Sequence, residues 1–237
     1  MRWWLEDVEN AIDRAKLKIA PVADSVAKEL NIGKYDDFFI VGGFVRDNVL
    51  AALTNKKTNS KDLDLIIPKR PVFDNNPNIL WKKENSMGGI KIGTKNFQEI
   101  DIFQSSADNV QMVVGQYFDF NCNALYYSYF SKQIFPSFYF YCFTSNRTIN
   151  FENYIYTNEG IEQRYNCESM ISRALKFQIS FREKFSMETK LSSEILYFIY
   201  NMDKETEKKM FEYTKSKVKN QELQNQIINE YKNLRCH

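Results

Sequence analysis

Phe38-Phe39-Ile40-Val41-Gly42-Gly43-Phe44-Val45-Arg46-Asp47, followed after a helix-like stretch and a polar tail by Lys61-Asp62-Leu63-Asp64-Leu65-Ile66-Ile67, places a glycine pair and two spaced carboxylates in successive strand-like segments. Residues 38–41 form a short apolar run, and residues 44–53 have helical spacing. The glycines therefore fall where a strand gives way to a helix N-terminus. Glycine lets backbone amides approach an anion closely, the helix dipole favours negative charge there, and Arg46 adds a fixed cation in the first turn, so a triphosphate fits this turn. In a strand, residues two apart point the same way. Asp62 and Asp64 thus share a face and can share divalent cations, while Leu63 and Leu65 face a core.

A third carboxylate belongs to such chemistry, so that one ion holds the triphosphate and another activates the attacking hydroxyl. Asp101, in Gln98-Glu99-Ile100-Asp101-Ile102-Phe103, is that candidate: Ile100 and Ile102 face the core and Asp101 the opposite side. Glu99 shares the face of Asp101 and is the reserve if a bulge shifts the register.

Composition narrows the alternatives. In 237 residues, 43% of them hydrophobic, there is ample core for one domain or for a catalytic domain with a helical appendage. Cys122, Cys142, Cys167 and Cys236 form no C-x-x-C pair, and no signal peptide or long apolar span is evident. The reading is an intracellular, cytoplasmic chain with no membrane segment and neither a zinc nor a disulfide framework. The single histidine is the last residue, His237, which sets aside mechanisms that need a histidine base or ligand. A net charge of +2 is compatible with a nucleic-acid partner but does not point to one.

Along the chain, Trp4, Val8, Ile12, Ala15 and Ile19 make an apolar helical stripe that predicts a helix interrupted at Pro21 and a second helix towards Leu30. Residues 36–103 alternate strand and helix signals, with strand-like runs at 89–92 and 97–103. Residues 106–117 read as a serine-capped helix, and residues 118–143 as aromatic-rich β structure broken at Lys132 and Pro136, its rings core rather than base-stacking platforms. From about Glu168 the pattern is helical: 170–185, 192–202, 205–218 and 221–234. The expected organisation is an N-terminal helical segment at 1–35, a catalytic head at 36–160 and a helical region at 161–237. The fold class is α+β, with a small mixed sheet, flanking helices and an all-α C-terminal part.

With these residues assembled, the chain resembles the polymerase β-like nucleotidyltransferases, and within them the class II CCA-adding enzymes and bacterial poly(A) polymerases. Gly42-Gly43-Phe44-Val45-Arg46-Asp47 resembles the family's G-G-x-V-R-D, and Lys61-Asp62-Leu63-Asp64 its K-D-x-D. Residues 89–101 resemble the paired strands that deliver the third acid. Asp119-Phe120-Asn121-Cys122-Asn123-Ala124-Leu125 is similar to D-F-T-I-N-A-L, beside the sugar of the incoming nucleotide, and Arg173-Ala174-Leu175-Lys176-Phe177 to the R-A-x-R-F of the first neck helix. The resemblance implies a two-metal Mg²⁺ site on Asp62, Asp64 and Asp101, with nucleotide contacts from Gly42, Gly43, Arg46, Asp119, Asn123 and Arg173. It implies an NTP substrate, ATP or CTP, and an RNA acceptor, a tRNA-like 3′ end. Two rivals keep the fold: transfer to a protein or small molecule, and a non-catalytic RNA- or protein-binding module.

The sequence also departs from the family. Tyr117 and Phe118 stand where two arginines usually precede D-F-T-I-N-A-L, and the base-reading E-D-x-x-R falls on Asn166, Cys167 and Met170. Neither Glu168 nor Arg164 restores that spacing, so base selection of the family kind is not expected.

Overall fold

A computed structural model describes residues 2–34, 36–58, 62–68, 73, 76–84, 89–105, 110, 114, 118–151, 154–157, 160–163 and 167–236. The chain divides into two compact units, Met1–Phe118 with Cys122–Tyr141, and Asp119–Asn121 with Cys142–His237.

The first unit is built on a seven-stranded sheet. After a long helix α1 (Arg2–Leu30), the chain enters β1 (Phe39–Val41), α2 (Gly42–Leu53), β2 (Leu63–Ile67), β3 (Ile79–Glu84), β4 (Ile90–Thr94) and β5 (Ile100–Gln104). A 3-10 turn at Asn121–Asn123 then leads to β6 (Leu125–Ser128) and β7 (Gln133–Pro136). The strand order is β3-β4-β5-β2-β1-β6-β7. Only β2 and β5 pair in parallel; the other neighbours are antiparallel. Such a sheet must bury at least one face, and the alternation shows which. Leu63, Leu65, Ile90, Ile92, Ile100, Ile102, Ile40 and Tyr127 are buried on one side. The other side carries Asp64, Lys91 and Asp101 together with a smaller apolar cluster of Phe39, Val41, Ile66, Val110 and Val114, against which Phe103, Phe118 and Tyr126 pack.

α1 is one continuous helix, contrary to the break expected at Pro21. Pro21 lies on its exposed side, while Ile19, Ala23, Val26, Ala27 and Leu30 continue the buried stripe. Burial along the whole stripe outweighs the hydrogen bond that proline removes, roughly 3 kcal/mol in an isolated helix interior.

Residues 118–143 are also less β-like than their composition predicts. β6 and β7 form a hairpin through residues 129–132, but the chain then turns helical as α3 (Phe138–Asn146). Ser137 explains the switch: its carbonyl accepts from the amides of Phe140 and Tyr141, at 3.1 and 3.3 Å, and its hydroxyl lies 3.4 Å from the Phe140 amide. Phe140 and Phe143, three apart, then share the buried face, leaving Phe138 76% exposed. The expected helix at 106–117 lies largely outside the described residues, as does Lys61.

In the second unit, β8 (Thr148–Ile149) pairs in parallel with β11 (Lys190–Leu191), and β9 (Tyr154–Thr157) with β10 (Gly160–Gln163) in a hairpin. Four helices follow the predicted pattern within a few residues: α4 (Cys167–Phe185), α5 (Ser193–Asn201), α6 (Lys204–Lys217) and α7 (Gln221–Arg235). Ser192, Asp203 and Asn220 cap the last three, each accepting from the amide three residues on. Phe120 joins this unit's core, forming a bridge with Phe151 and an edge-to-face contact with Phe177 at 5.1 Å. No helix among the described residues is long and apolar enough to cross a membrane.

Candidate active site

Strand register builds the site. In the parallel pair β2 and β5, Asp64 stands opposite Asp101; in the antiparallel pair β4 and β5, Asp101 stands opposite Lys91; and Val41 of β1 stands opposite Asp64. Directly opposed residues share a face, so Lys91, Asp101, Asp64 and Val41 form one row across four strands. The row ends at the glycine turn, because Gly42 follows Val41. Gly42 has φ +69, and a Cβ there would come within 2.8 Å of Asp64 Oδ2. Only glycine combines that left-handed backbone with so close an approach to a carboxylate. Val41, the N-cap of α2, has extended dihedrals and no side-chain oxygen with which to cap the first-turn amides.

Asp62 is exposed, one residue before β2 begins, and Asp64 is half-buried. Burial, then the charges of Asp101 and Asp62, push the Asp64 carboxyl up to about 7, with Lys91 and Arg46 pulling the other way. Two further carboxylates thus act on Asp64 in an environment that penalises unneutralised charge. That is the chemistry a hard divalent cation relieves, and in this respect the donor set fits Mg²⁺. The three do not form a finished cage: among the described residues no group of three or more His, Cys, Asp or Glu converges as a metal centre. Lys91 meets one of the acids. Its ammonium lies 3.1 Å from Asp101 Oδ2 and 2.6 Å from Glu99 Oε1. Glu99, the reserve acid, therefore serves as a partner of Lys91, while Asp101 holds the register position beside Asp64.

Arg46, in the first turn of α2, is buried. Its Nε donates to Asp47 Oδ1 at 2.8 Å and its Nη1 to Asn123 Oδ1 at 2.6 Å. Gly43 lies beside it, a Cβ there meeting Arg46 Nη2 at 3.5 Å. The first unit thus gathers Asp62, Asp64, Asp101, Gly42, Gly43, Arg46 and Asn123. Asp119 and Arg173 belong to the second unit, where they form an ion pair with each other, the Arg173 guanidinium lying 5.7 Å from the centre of the Phe120 ring. Asn121 is a structural residue: its Oδ1 accepts from the Asn150 amide at 3.1 Å and its Nδ2 donates to the Thr148 carbonyl at 2.8 Å. Met170 is buried in α4, and burial and Glu168 push the half-buried Cys167 thiol up to about 11. Neither reads a base edge by hydrogen bonds as an acid and an arginine do. Arg164 and Asn166 lie outside the described residues.

Among the described residues, Lys91 joins the acid row without having been expected there. Its signal was present in Ile90-Lys91-Ile92, whose alternation turns the lysine onto the face opposite two core isoleucines.

The mixed sheet, with its glycine turn at the end of β1, an acid on β2 and another on β5, has the fold of solved CCA-adding enzymes. The chain is similar to a CCA-adding enzyme in complex with ATP, at TM-score 0.56 and 15% identity over 97% of this chain and 54% of that one. It is also similar to the Thermotoga maritima CCA-adding enzyme complexed with tRNA, at TM-score 0.56 and 14% identity over 96% and 53%. A CCA-adding enzyme complex with CTP matches at TM-score 0.50 and 16% identity over 84% and 48%. The chain spans about half the length of these structures. At such identities the likeness concerns the fold. No family model and no curated protein matches the sequence.

Proposed function

We propose that this chain is a Mg²⁺-dependent, template-independent nucleotidyltransferase that moves a nucleoside monophosphate from an NTP, ATP or CTP, to an acceptor hydroxyl, an RNA 3′ end of tRNA type, and releases pyrophosphate. The observation that carries this reading is the row that opposes Asp64 to Asp101 and ends at Gly42, which sets acids beside an anion-accepting helix start. The bound complexes of the fold's neighbours, with ATP, CTP and tRNA, point the same way.

In this reading Asp62, Asp64 and Asp101 hold the divalent ions. When bound, Mg²⁺ neutralises the triphosphate and lowers the pKa of the acceptor hydroxyl. The amides at Gly42 and Gly43 donate to the triphosphate, helped by the α2 dipole. Arg46 adds positive charge from a position that Asp47 and Asn123 fix. Asn123 is a nucleotide contact in the first unit, and the Asp119–Arg173 pair is a separate candidate contact in the second. The chain acts in the cytoplasm.

The test is incubation with Mg²⁺, each labelled NTP in turn and a pool of small RNAs. The wild-type chain is expected to extend RNA 3′ ends, and the double variant Asp62→Ala, Asp64→Ala to fold and extend none. Equal incorporation by that variant would overturn the assignment. Label on protein or small molecules instead of RNA would transfer the same chemistry to a different acceptor.

A further inference from the structure

The carboxylate row contains a cation of its own. Lys91 faces Asp101 across the β4–β5 pair, and its ammonium bridges Asp101 and Glu99. Asp101 in turn faces Asp64 across β5 and β2. The lysine is therefore no loose surface side chain that happens to meet an acid. Register aims it at the acid row, its flanking residues Ile90 and Ile92 are locked in the core, and Glu99 also holds its head.

An ammonium and a divalent ion compete for the same carboxylate. Mg²⁺ takes carboxylate oxygens at about 2.0–2.1 Å in strict octahedral geometry, leaving no room for an ammonium at hydrogen-bond distance on the same lone pairs, and the two charges repel. Asp62, just ahead of β2, is exposed, and Asp64 faces the glycine turn.

We propose that Lys91 takes the place of one divalent ion at Asp101. In this assignment, which rests on the metal-dependent reading above, the chain binds one divalent ion tightly, at Asp62 and Asp64. Lys91 neutralises Asp101, and a second ion enters only when Lys91 releases that carboxylate. Lys91 is thus a positioning residue that sets how many ions the site takes. Its neutral, similarly shaped replacement, Lys91→Met, frees Asp101, whereas Lys91→Arg keeps the positive charge and a donor.

Mn²⁺ serves as the probe, counted by the loss of its free electron-paramagnetic signal and by calorimetry, with no nucleotide present. Wild type and Lys91→Arg are expected to take up one ion tightly. Lys91→Met is expected to take up two, the second at least tenfold more tightly than any second ion in wild type, and adding Asp101→Asn to Lys91→Met should return the count to one. Circular dichroism melting checks that each variant is folded. The same ion count and affinity in wild type and Lys91→Met would overturn the role of Lys91 while leaving the metal-dependent reading intact. Uptake of no ion by any variant would remove that reading and this proposal with it.

Discussion

Asp64 Oδ2 stands 2.8 Å from the position that a Cβ on Gly42 would occupy. The glycine turn and the acid of β2 are thus packed to the limit, and a side chain on Gly42 changes both. Gly42→Ala forces an L-residue into φ +69, a cost of roughly 1–2 kcal/mol, and pushes the Asp64 carboxylate out of line with Asp101. The chain is expected to remain folded, with a modestly lower melting temperature. Nucleotide incorporation should fall by about a hundredfold or more, since misplacement by about 1 Å is enough for that. Steady-state kinetics alongside a thermal melt separate the two effects, and near wild-type kcat/KM in a folded Gly42→Ala would show that the approach is not used.

The raised Asp64 pKa gives a prediction with an unusual sign. The folded chain keeps a proton on Asp64 up to about 7, whereas an unfolded carboxyl releases it near 3.8. The stabilisation is fully present below 3.8 and is lost as pH rises through about 7, so the metal-free protein weakens over that window. Asp64→Asn removes that charge. At pH 8 in chelator it should be more stable than wild type, by about 1–3 kcal/mol after solvent screening, with little difference at pH 4. Added Mg²⁺ should raise the melting temperature of wild type and not of the variant. A variant less stable than wild type at pH 8 would show that Asp64 is not under electrostatic stress.

Arg46 links two segments 77 residues apart in sequence, donating to Asp47 and to Asn123. Asp47 is only 3% exposed, so Arg46→Ala leaves a buried carboxylate without its main counter-charge and should cost about 3–5 kcal/mol. Arg46→Lys cannot reproduce the fork and should fall between wild type and Arg46→Ala. A double-mutant cycle of Arg46→Lys with Asn123→Ala, followed by urea unfolding, is expected to give a coupling of about 0.5–3 kcal/mol. Strict additivity would mean that the Asn123 contact does not contribute.

The parts of this site that follow one strand's period were readable from sequence. Alternation in Leu63-Asp64-Leu65 and Ile100-Asp101-Ile102 put both acids on the face away from the core, and the glycine pair marked where β1 becomes α2. What could not be read depends on partners distant in sequence. Lys91 reads as an ordinary polar position until β4 is placed against β5; Asn121 and Asn123 differ by two residues yet take a structural bond in one unit and Arg46 in the other. Local propensity also misled where packing decided the matter. Pro21 sits in a helix because its buried neighbours keep the stripe, and the β-prone Phe138-Tyr139-Phe140 turns helical behind Ser137.

Base choice supplies the last prediction. A site built to hydrogen-bond a substrate's polar edge rejects the wrong one by about 10⁴–10⁵, because buried donors and acceptors would be left unpaired, whereas an apolar or partly apolar pocket discriminates by only about 10–200-fold. At the positions where the acid and arginine of the resembling family fall, this chain has Cys167, whose thiol is pushed up to about 11 and so stays protonated and weakly polar at neutral pH, and Met170, which is buried in α4. Neither offers the paired donor and acceptor that would separate adenine from cytosine. In single-nucleotide incorporation assays, kcat/KM for ATP and CTP is therefore expected to differ by less than about a hundredfold. Cys167→Ser, which keeps a small polar group, should change that ratio by no more than a few-fold. A preference of about 10⁴ or greater for either nucleotide would mean that other side chains read the base by hydrogen bonds.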